Sequence, residues 1–159
     1  MTTGTGPASV RASIVVDVPA QRAFTVFTQE IGSWWPADHH ILEGELAETV
    51  FEPRVGGHVL DRGVDGSECR WARVLEYEPP HRVLISWDID PRWQLESDPA
   101  RASEVEVRFS AEGPDRTRVE LEHRALDRHG EGWEPMRDAV GAEDGWQHHL
   151  HAFAAYLRG

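Results

Sequence analysis

The longest segment with a single hydrophobic period is the C-terminal one, residues 142–158. Its large apolar residues recur every three or four positions, at Trp146, Leu150, Phe153 and Leu157. This spacing predicts an amphipathic helix, whose apolar face needs another element to cover it. At about 1.5 Å per residue the helix would be roughly 25 Å long, which is enough to cross a small domain.

Most of the remaining apolar residues alternate with polar ones, a pattern typical of half-buried strands. Alternation predicts strands over 10–18, 45–52, 58–64, 68–77 and 82–90, followed by two more centred on Val107 and Leu121. Helical spacing over 19–33 predicts a short helix with a break near Gly32, and another short helix is expected over 129–141. Strands grouped between helices indicate an α+β domain, in which a curved antiparallel sheet of about six or seven strands wraps around the long C-terminal helix.

Composition fits one domain with one core, since the chain has 159 residues of which 40% are hydrophobic. We expect residues 1–9 to form a disordered tail and residues 10–159 a single domain. The tail lacks the basic and apolar regions of a signal peptide, and no apolar run reaches the length of about eighteen residues that a bilayer span needs. The sequence therefore predicts a cytoplasmic protein without membrane insertion.

The charge balance narrows the classes of partner. Sixteen basic residues, all of them Arg, face 28 acidic ones, which gives a net charge of −12. Such a surface repels phosphate backbones and anionic lipids, so we expect no nucleic-acid binding. Because Cys69 is the only cysteine, neither an intrachain disulfide nor a cysteine metal site can form. No metal or other cofactor is predicted.

Several short motifs carry a family resemblance: Phe-Glu-Pro-Arg-Val-Gly-Gly at 51–57, Arg-Val-Leu-Glu at 73–76, Arg-Val-Leu-Ile-Ser-Trp at 82–87, and Thr-Arg-Val-Glu-Leu-Glu-His at 117–123. Together with Gly145-Trp146, they resemble bacterial homologues of the heat-shock-protein ATPase activator, in the START-like or SRPBCC superfamily. The resemblance implies the helix-grip fold, with two short helices after the first strand. Members include ligand carriers, cyclase enzymes and a co-chaperone, so the resemblance indicates the fold more than the function.

Seven tryptophans are many for a core of this size. Indoles that line a gap between sheet and helix could hold a small hydrophobic or aromatic ligand, whereas indoles that fill the core would leave no gap. Periodicity and the family resemblance together place nine residues at such a cavity: Phe27, Trp35, Trp71, Trp87, Phe109, His123, Trp146, His149 and Phe153.

Polar residues give weaker signals, and none is assigned a catalytic role. His123 alternates with apolar neighbours, so it is either a core residue with a partner or a polar group inside the cavity. His148 and His151 should lie on the exposed side of the C-terminal helix.

Three further groups of polar side chains are expected to be exposed to solvent. They are the loop histidines His39 and His40, the pair Asp88 and Asp90, and the charged row around Glu106.

Three functions remain open at this point. A binding protein is favoured, a cyclase or dehydrase would use His123 or His149 to transfer protons, and a partner of the chaperone machinery would need an exposed apolar surface. A homodimer is also left open, and the sequence does not identify the ligand.

Overall fold

The computed structural model describes residues 8–36 and 41–159. Most of the predicted tail therefore lies outside the described residues, as do His39 and His40. Within the described residues, no helix is long and apolar enough to span a bilayer.

Seven strands form one antiparallel sheet in the described part of the chain, in the order β1-β7-β6-β5-β4-β3-β2. The strands are β1 Val10–Val16, β2 Leu46–Phe51, β3 His58–Gly63, β4 Glu68–Glu78, β5 Arg82–Trp87, β6 Ser103–Gly113 and β7 Arg116–Arg124. From β2 to β7 each strand pairs with the next in sequence, and β1 pairs with β7, where Ile14 lies opposite Val119. The curved sheet confirms the predicted α+β helix-grip architecture.

The helices are α1 Ala20–Gln29, α2 Ile31–Trp34, α3 Trp133–Val140 and α4 Trp146–Arg158, with single 3-10 turns at Pro99–Arg101 and Leu126–His129. The two short helices after β1 are confirmed. The break between them lies at Glu30, two residues before the predicted position.

The C-terminal helix is shorter than predicted. It begins at Trp146 and has 13 residues, a length of about 20 Å, because a turn separates it from α3. In this turn the Gly145 N–H donates to the Ala142 carbonyl at 2.9 Å. A Cβ on Gly145 would lie 2.1 Å from the Val140 carbonyl oxygen, so only glycine fits at this close approach.

The apolar face of α4 packs on the inner face of the sheet, where Leu150 and Phe153 are fully buried. Phe27 lies at the centre of this packing, with its ring centroid 5.6 Å from that of Phe109 and 5.2 Å from that of Phe153. On the opposite side of α4, His148 and His151 are exposed. The helix stripe therefore forms the core, as its period predicts.

The outer face of the sheet corrects two expectations. Asp88 is only 8% exposed, because the Arg73 guanidinium binds both of its carboxylate oxygens at 3.0 Å. Glu106 is also buried, among Arg82, Arg108 and Arg124. Long arginine side chains from neighbouring strands cover these carboxylates. The alternation of residues along a single strand cannot predict such cover from its neighbours.

The arginines also decide the charge state of Glu106. Burial alone would raise the pKa of this carboxyl group, but hydrogen bonds from Arg82 and Arg108 bring the pKa below its ordinary value.

Candidate functional site

A cavity of about 330 Å³ lies between the inner face of the sheet and the junction of α3 with α4. Indoles, aliphatic side chains and a few polar groups line it: Trp35, Ile41, Asp61, Trp71, Trp87, Ile89, Trp93, Ala139, Val140, Asp144, Gly145, Trp146 and His149. The volume is near the lower end of the range of about 300–1,000 Å³ that is usual for small-molecule sites.

Four of these tryptophans contact one another in a closed cycle, which we call the indole box. The ring centroids are 5.3 Å apart for Trp35 and Trp71, and 5.7 Å apart for Trp71 and Trp87. Trp87 lies 5.5 Å from Trp146, which in turn lies 5.9 Å from Trp35. Tilted and edge-on contacts of this kind are favourable and hold each ring in place, so the cavity has rigid aromatic walls.

Each indole of the box comes from a different element. Trp71 is in the middle of β4, and Trp87 ends β5. Trp35 follows α2 with an extended backbone, as expected for a residue before proline. Trp146 is the first residue of α4, and the turn at Gly145 sets its position. The box therefore assembles only when sheet and helices pack together.

Two polar side chains stand out in the cavity lining. Asp61 is 2% exposed, and its Oδ1 accepts hydrogen bonds from Thr49 Oγ1 at 2.8 Å and from Trp71 Nε1 at 3.3 Å. His149 Nδ1 donates to the Gly145 carbonyl at 2.7 Å, which places the hydrogen of the neutral ring on Nδ1. Its ring lies 4.4 Å from Trp35. A carboxylate and an imidazole therefore border one aromatic space.

Behind the indole box lies a buried hydrogen-bond chain. Trp146 Nε1 lies 3.0 Å from His123 Nδ1, His123 Nε2 lies 2.7 Å from Ser103 Oγ, and Ser103 Oγ lies 2.7 Å from His129 Nε2. An indole N–H can only donate, so His123 Nδ1 accepts and the histidine carries its hydrogen on Nε2. The His123 Nε2–H therefore donates a hydrogen bond to Ser103 Oγ. The Ser103 hydroxyl in turn donates to His129 Nε2. The chain thus has one direction, away from the cavity wall.

The direction of the chain leaves the hydrogen of His129 on Nδ1, a buried atom without a hydrogen-bond partner in the described structure. Both histidines are neutral in this arrangement. Burial lowers the pKa of His123 to about 3, and burial also lowers that of His129. The neutral His123 ring therefore holds the Trp146 indole in position by accepting its N–H hydrogen bond.

The structure brings together five of the nine residues predicted at the cavity: Trp35, Trp71, Trp87, Trp146 and His149. The other four lie elsewhere in the core. Phe109 and Phe153 both pack against Phe27, and His123 accepts a hydrogen bond from Trp146 Nε1.

The cavity also has residues that pattern reasoning missed. Asp61 went unnoticed because an irregularity in the pairing of β3 with β4 interrupts the alternation, and Val59, Leu60 and Asp61 are buried in succession. The sequence feature that could have identified Asp61 is an acidic residue directly after two apolar residues within a predicted strand. Asp144 was assigned to the long helix, whereas it lies in the turn before α4.

The described residues contain no group of three His, Cys, Asp or Glu side chains placed to hold a metal ion. The ionisable side chains in the cavity lining are those of Asp61, Asp144 and His149.

The fold and the cavity define a helix-grip domain of the SRPBCC type. The chain belongs to the family of activator of Hsp90 ATPase homolog 1-like proteins, whose sequence model matches residues 17–158. A comparison with curated proteins gave no match.

Two solved structures with named roles are similar over nearly the whole chain. The anthrahydroquino-gamma-pyrone synthase Txn09 is 42% identical, with 92% of this chain and 95% of that chain covered and a TM-score of 0.66. The self-sacrificing resistance protein CalC from Micromonospora echinospora is 26% identical, with 96% of both chains covered and a TM-score of 0.69.

Proposed function

We propose that this protein binds a flat, fused-ring aromatic molecule of the polyketide type in the cavity formed around the indole box. The observation that carries the proposal is the closed cycle of four indoles, with neighbouring centroids 5.3–5.9 Å apart. Indole faces and edges favour stacked or edge-on contact with another aromatic ring. The name of Txn09, whose product has fused aromatic rings, supports this class of ligand.

The polar groups of the cavity would orient such a molecule. The Asp61 carboxylate can accept a hydrogen bond from a phenolic hydroxyl, and the His149 imidazole can bond to a second oxygen. An apolar box with a few polar groups is the usual composition of a small-molecule site. A phenolic polyketide ring system therefore satisfies both parts of the cavity.

Emodin, a trihydroxyanthraquinone with three fused rings, is a suitable probe when added at low concentration from an organic stock. We expect it to quench tryptophan emission saturably with a stoichiometry of one, because at least four indoles would lie beside it. Calorimetry gives the affinity independently. Quenching that does not saturate would contradict the proposal.

A blocking variant locates the binding. Ala139 borders the cavity and is exposed, so Ala139→Trp should obstruct the space without disturbing the core. Ala155→Trp, an equal change at an exposed position of α4 outside the lining, is the matched control. Emodin affinity should fall about tenfold or more in the first variant and stay unchanged in the second. Equal affinities in the two variants would place emodin elsewhere.

Catalysis of ring closure is a second candidate function. Two observations favour it: Asp61 and His149 border the same cavity, and Txn09 is a synthase of a gamma-pyrone. To close such a ring from a beta-diketone, a phenol oxygen adds to a ketone carbon, and the resulting hemiketal loses water. In the addition, the Asp61 carboxylate can take the phenol proton and pass it to the ketone oxygen, which becomes the hemiketal hydroxyl. In the loss of water, His149 Nε2, which carries no hydrogen in the neutral ring, can take a proton from the carbon between the two carbonyl positions. The imidazolium then returns this proton to the departing hydroxyl, which leaves as water.

The assay for this candidate uses an ortho-hydroxynaphthyl beta-diketone, and mass spectrometry detects the loss of one water. Asp61→Asn keeps an oxygen acceptor for Thr49 and Trp71 but removes the base, so the rate should fall about 100-fold or more. Emodin affinity should change much less. Emodin binding without any acceleration of water loss would support the binding function and refute catalysis of ring closure.

The chaperone-partner interpretation has less support. It requires a contiguous exposed apolar patch. In the described chain, the exposed large apolar residues lie on separate elements: Val55 and Val64 in two turns, Tyr156 on α4, and Trp93 and Leu95 in the loop after β5.

A further inference from the structure

Trp93 differs from the other tryptophans that line the cavity. It lies in the loop after β5, and 42% of it is exposed. Its backbone has φ 62°, a left-handed conformation that bulky side chains rarely adopt. Each indole of the box contacts two others of the box, whereas the ring of Trp93 makes no aromatic contact with the described residues.

A compact loop holds Trp93 in this unfavourable conformation. Asp90 Oδ1 accepts hydrogen bonds from the backbone N–H groups of Arg92 at 2.8 Å and Gln94 at 3.0 Å. The Asp90 N–H donates to the Gln94 carbonyl at 2.7 Å, and the Trp93 N–H donates to the Asp90 carbonyl at 2.9 Å. The indole is therefore displayed on an ordered loop tip.

Neither the backbone conformation nor the exposure of this position favours a tryptophan. A glycine or asparagine would fit the backbone better, and a polar side chain would suit the exposure better. Strained conformations that the surroundings enforce are found most often where they serve a site. The site that Trp93 borders is the aromatic cavity.

We propose that Trp93 is a ligand-binding residue, which covers the outer end of a fused-ring molecule that lies in the cavity against the indole box. This inference rests on the proposed function. It also specifies the substrate class, because a molecule that contacts both Trp93 and the box is held by more aromatic surface than a shorter one that contacts the box alone. Trp93 then favours ligands with three or more fused rings over those with two.

The test separates ligand contact from folding. Trp93→Asn places a residue that tolerates the left-handed conformation at the loop tip, so the melting temperature should stay equal or rise. Emodin affinity should nevertheless fall about tenfold, because one aromatic wall is lost. The affinity for the shorter dihydroxynaphthalene should change by less than about twofold.

The second non-glycine residue with positive φ in the described chain, Ala125 at φ 60°, provides a matched control. Ala125→Gly relieves the same kind of backbone strain away from the cavity lining and should leave emodin affinity unchanged. Trp93→Phe, which keeps an aromatic ring, should restore most of the affinity lost in Trp93→Asn.

The outcomes distinguish the two claims. Unchanged emodin affinity in Trp93→Asn, together with weak binding in Ala139→Trp, would reject the role of Trp93 and keep the proposed function. An equal loss for emodin and for the dihydroxynaphthalene would reject the selection by length. No emodin binding by the unaltered protein would overturn both proposals.

Discussion

The neutral state of His123 predicts a specific loss of stability in acid. His123 is fully buried, and its Nδ1 accepts a hydrogen bond from Trp146, so the folded protein cannot protonate this ring without breaking the chain. Burial lowers the pKa of His123 from its ordinary value of 6.5 to about 3. The unfolded chain, in contrast, takes up the proton as the pH falls through 6.5.

The size of the effect follows from proton linkage. Between pH 6.5 and pH 3 the unfolded state binds one proton more than the folded state, so stability falls as the pH falls. The slope is about 1.4 kcal/mol per pH unit for one group, which gives roughly 2 kcal/mol at pH 5. The pKa of His129 is lowered as well, so it adds a loss of the same sign.

Urea unfolding of the protein and of His123→Gln at a series of pH values measures this contribution. The variant loses stability at neutral pH, but its curve should fall less steeply below pH 6.5, so that the difference between the two proteins shrinks by about 2 kcal/mol at pH 5. His81→Gln, which replaces an exposed histidine, is the control. The unfolding free energies of this variant and of the unaltered protein should differ by the same amount at every pH. Parallel curves for the protein and His123→Gln would refute the neutral buried ring.

Three smaller predictions test the packing around the cavity. Leu150→Ala should lower the unfolding free energy in urea by about 2–5 kcal/mol, whereas Leu95→Ala, at a residue 49% exposed, should lower it by less than about 0.5 kcal/mol; similar losses would mean that α4 is not packed on the sheet. Gly145→Ala should cost about 3 kcal/mol in the same assay because the new Cβ meets the Val140 carbonyl, and a normal unfolding midpoint would contradict the turn. Burial raises the pKa of Cys69 to about 11, so iodoacetamide should label the native thiol at pH 8 far more slowly than the unfolded one, and equal rates would contradict its burial.

The architecture was predictable because several strands, such as β1, β4 and β7, alternate between more buried and more exposed residues. The pattern around Val107 and Leu121 identified β6 and β7, and the period of Leu150 and Phe153 identified the face of α4. The start of α4 was not predictable from the period. Ala142 and Glu143 are favourable in helices, and the break depends on the close approach of the backbone at Gly145 to Val140, which the hydrophobic period does not show.

The site was predictable only in part. Alternation shows that Trp87 and Phe109 both point inward, but it does not show that Trp87 borders the cavity whereas Phe109 packs against Phe27. Asp61 was missed because a pairing irregularity interrupts the alternation in β3. The loop of Trp93 has no period, and its position at the rim follows from hydrogen bonds to Asp90.

The seven tryptophans themselves give the most direct test of the central claim, which is that an aromatic ligand occupies the cavity lined by the indole box. Their indole N–H signals can be followed by NMR during an emodin titration and assigned by single Trp→Phe substitutions. Ring currents from the ligand should shift the signals of the cavity residues Trp35, Trp71, Trp87, Trp93 and Trp146. Trp34, which donates to the Val26 carbonyl, and Trp133, which lies under Arg137, should keep their positions. Saturable shifts confined to the cavity tryptophans would support the account, and shifts that are absent or largest at Trp133 would contradict it.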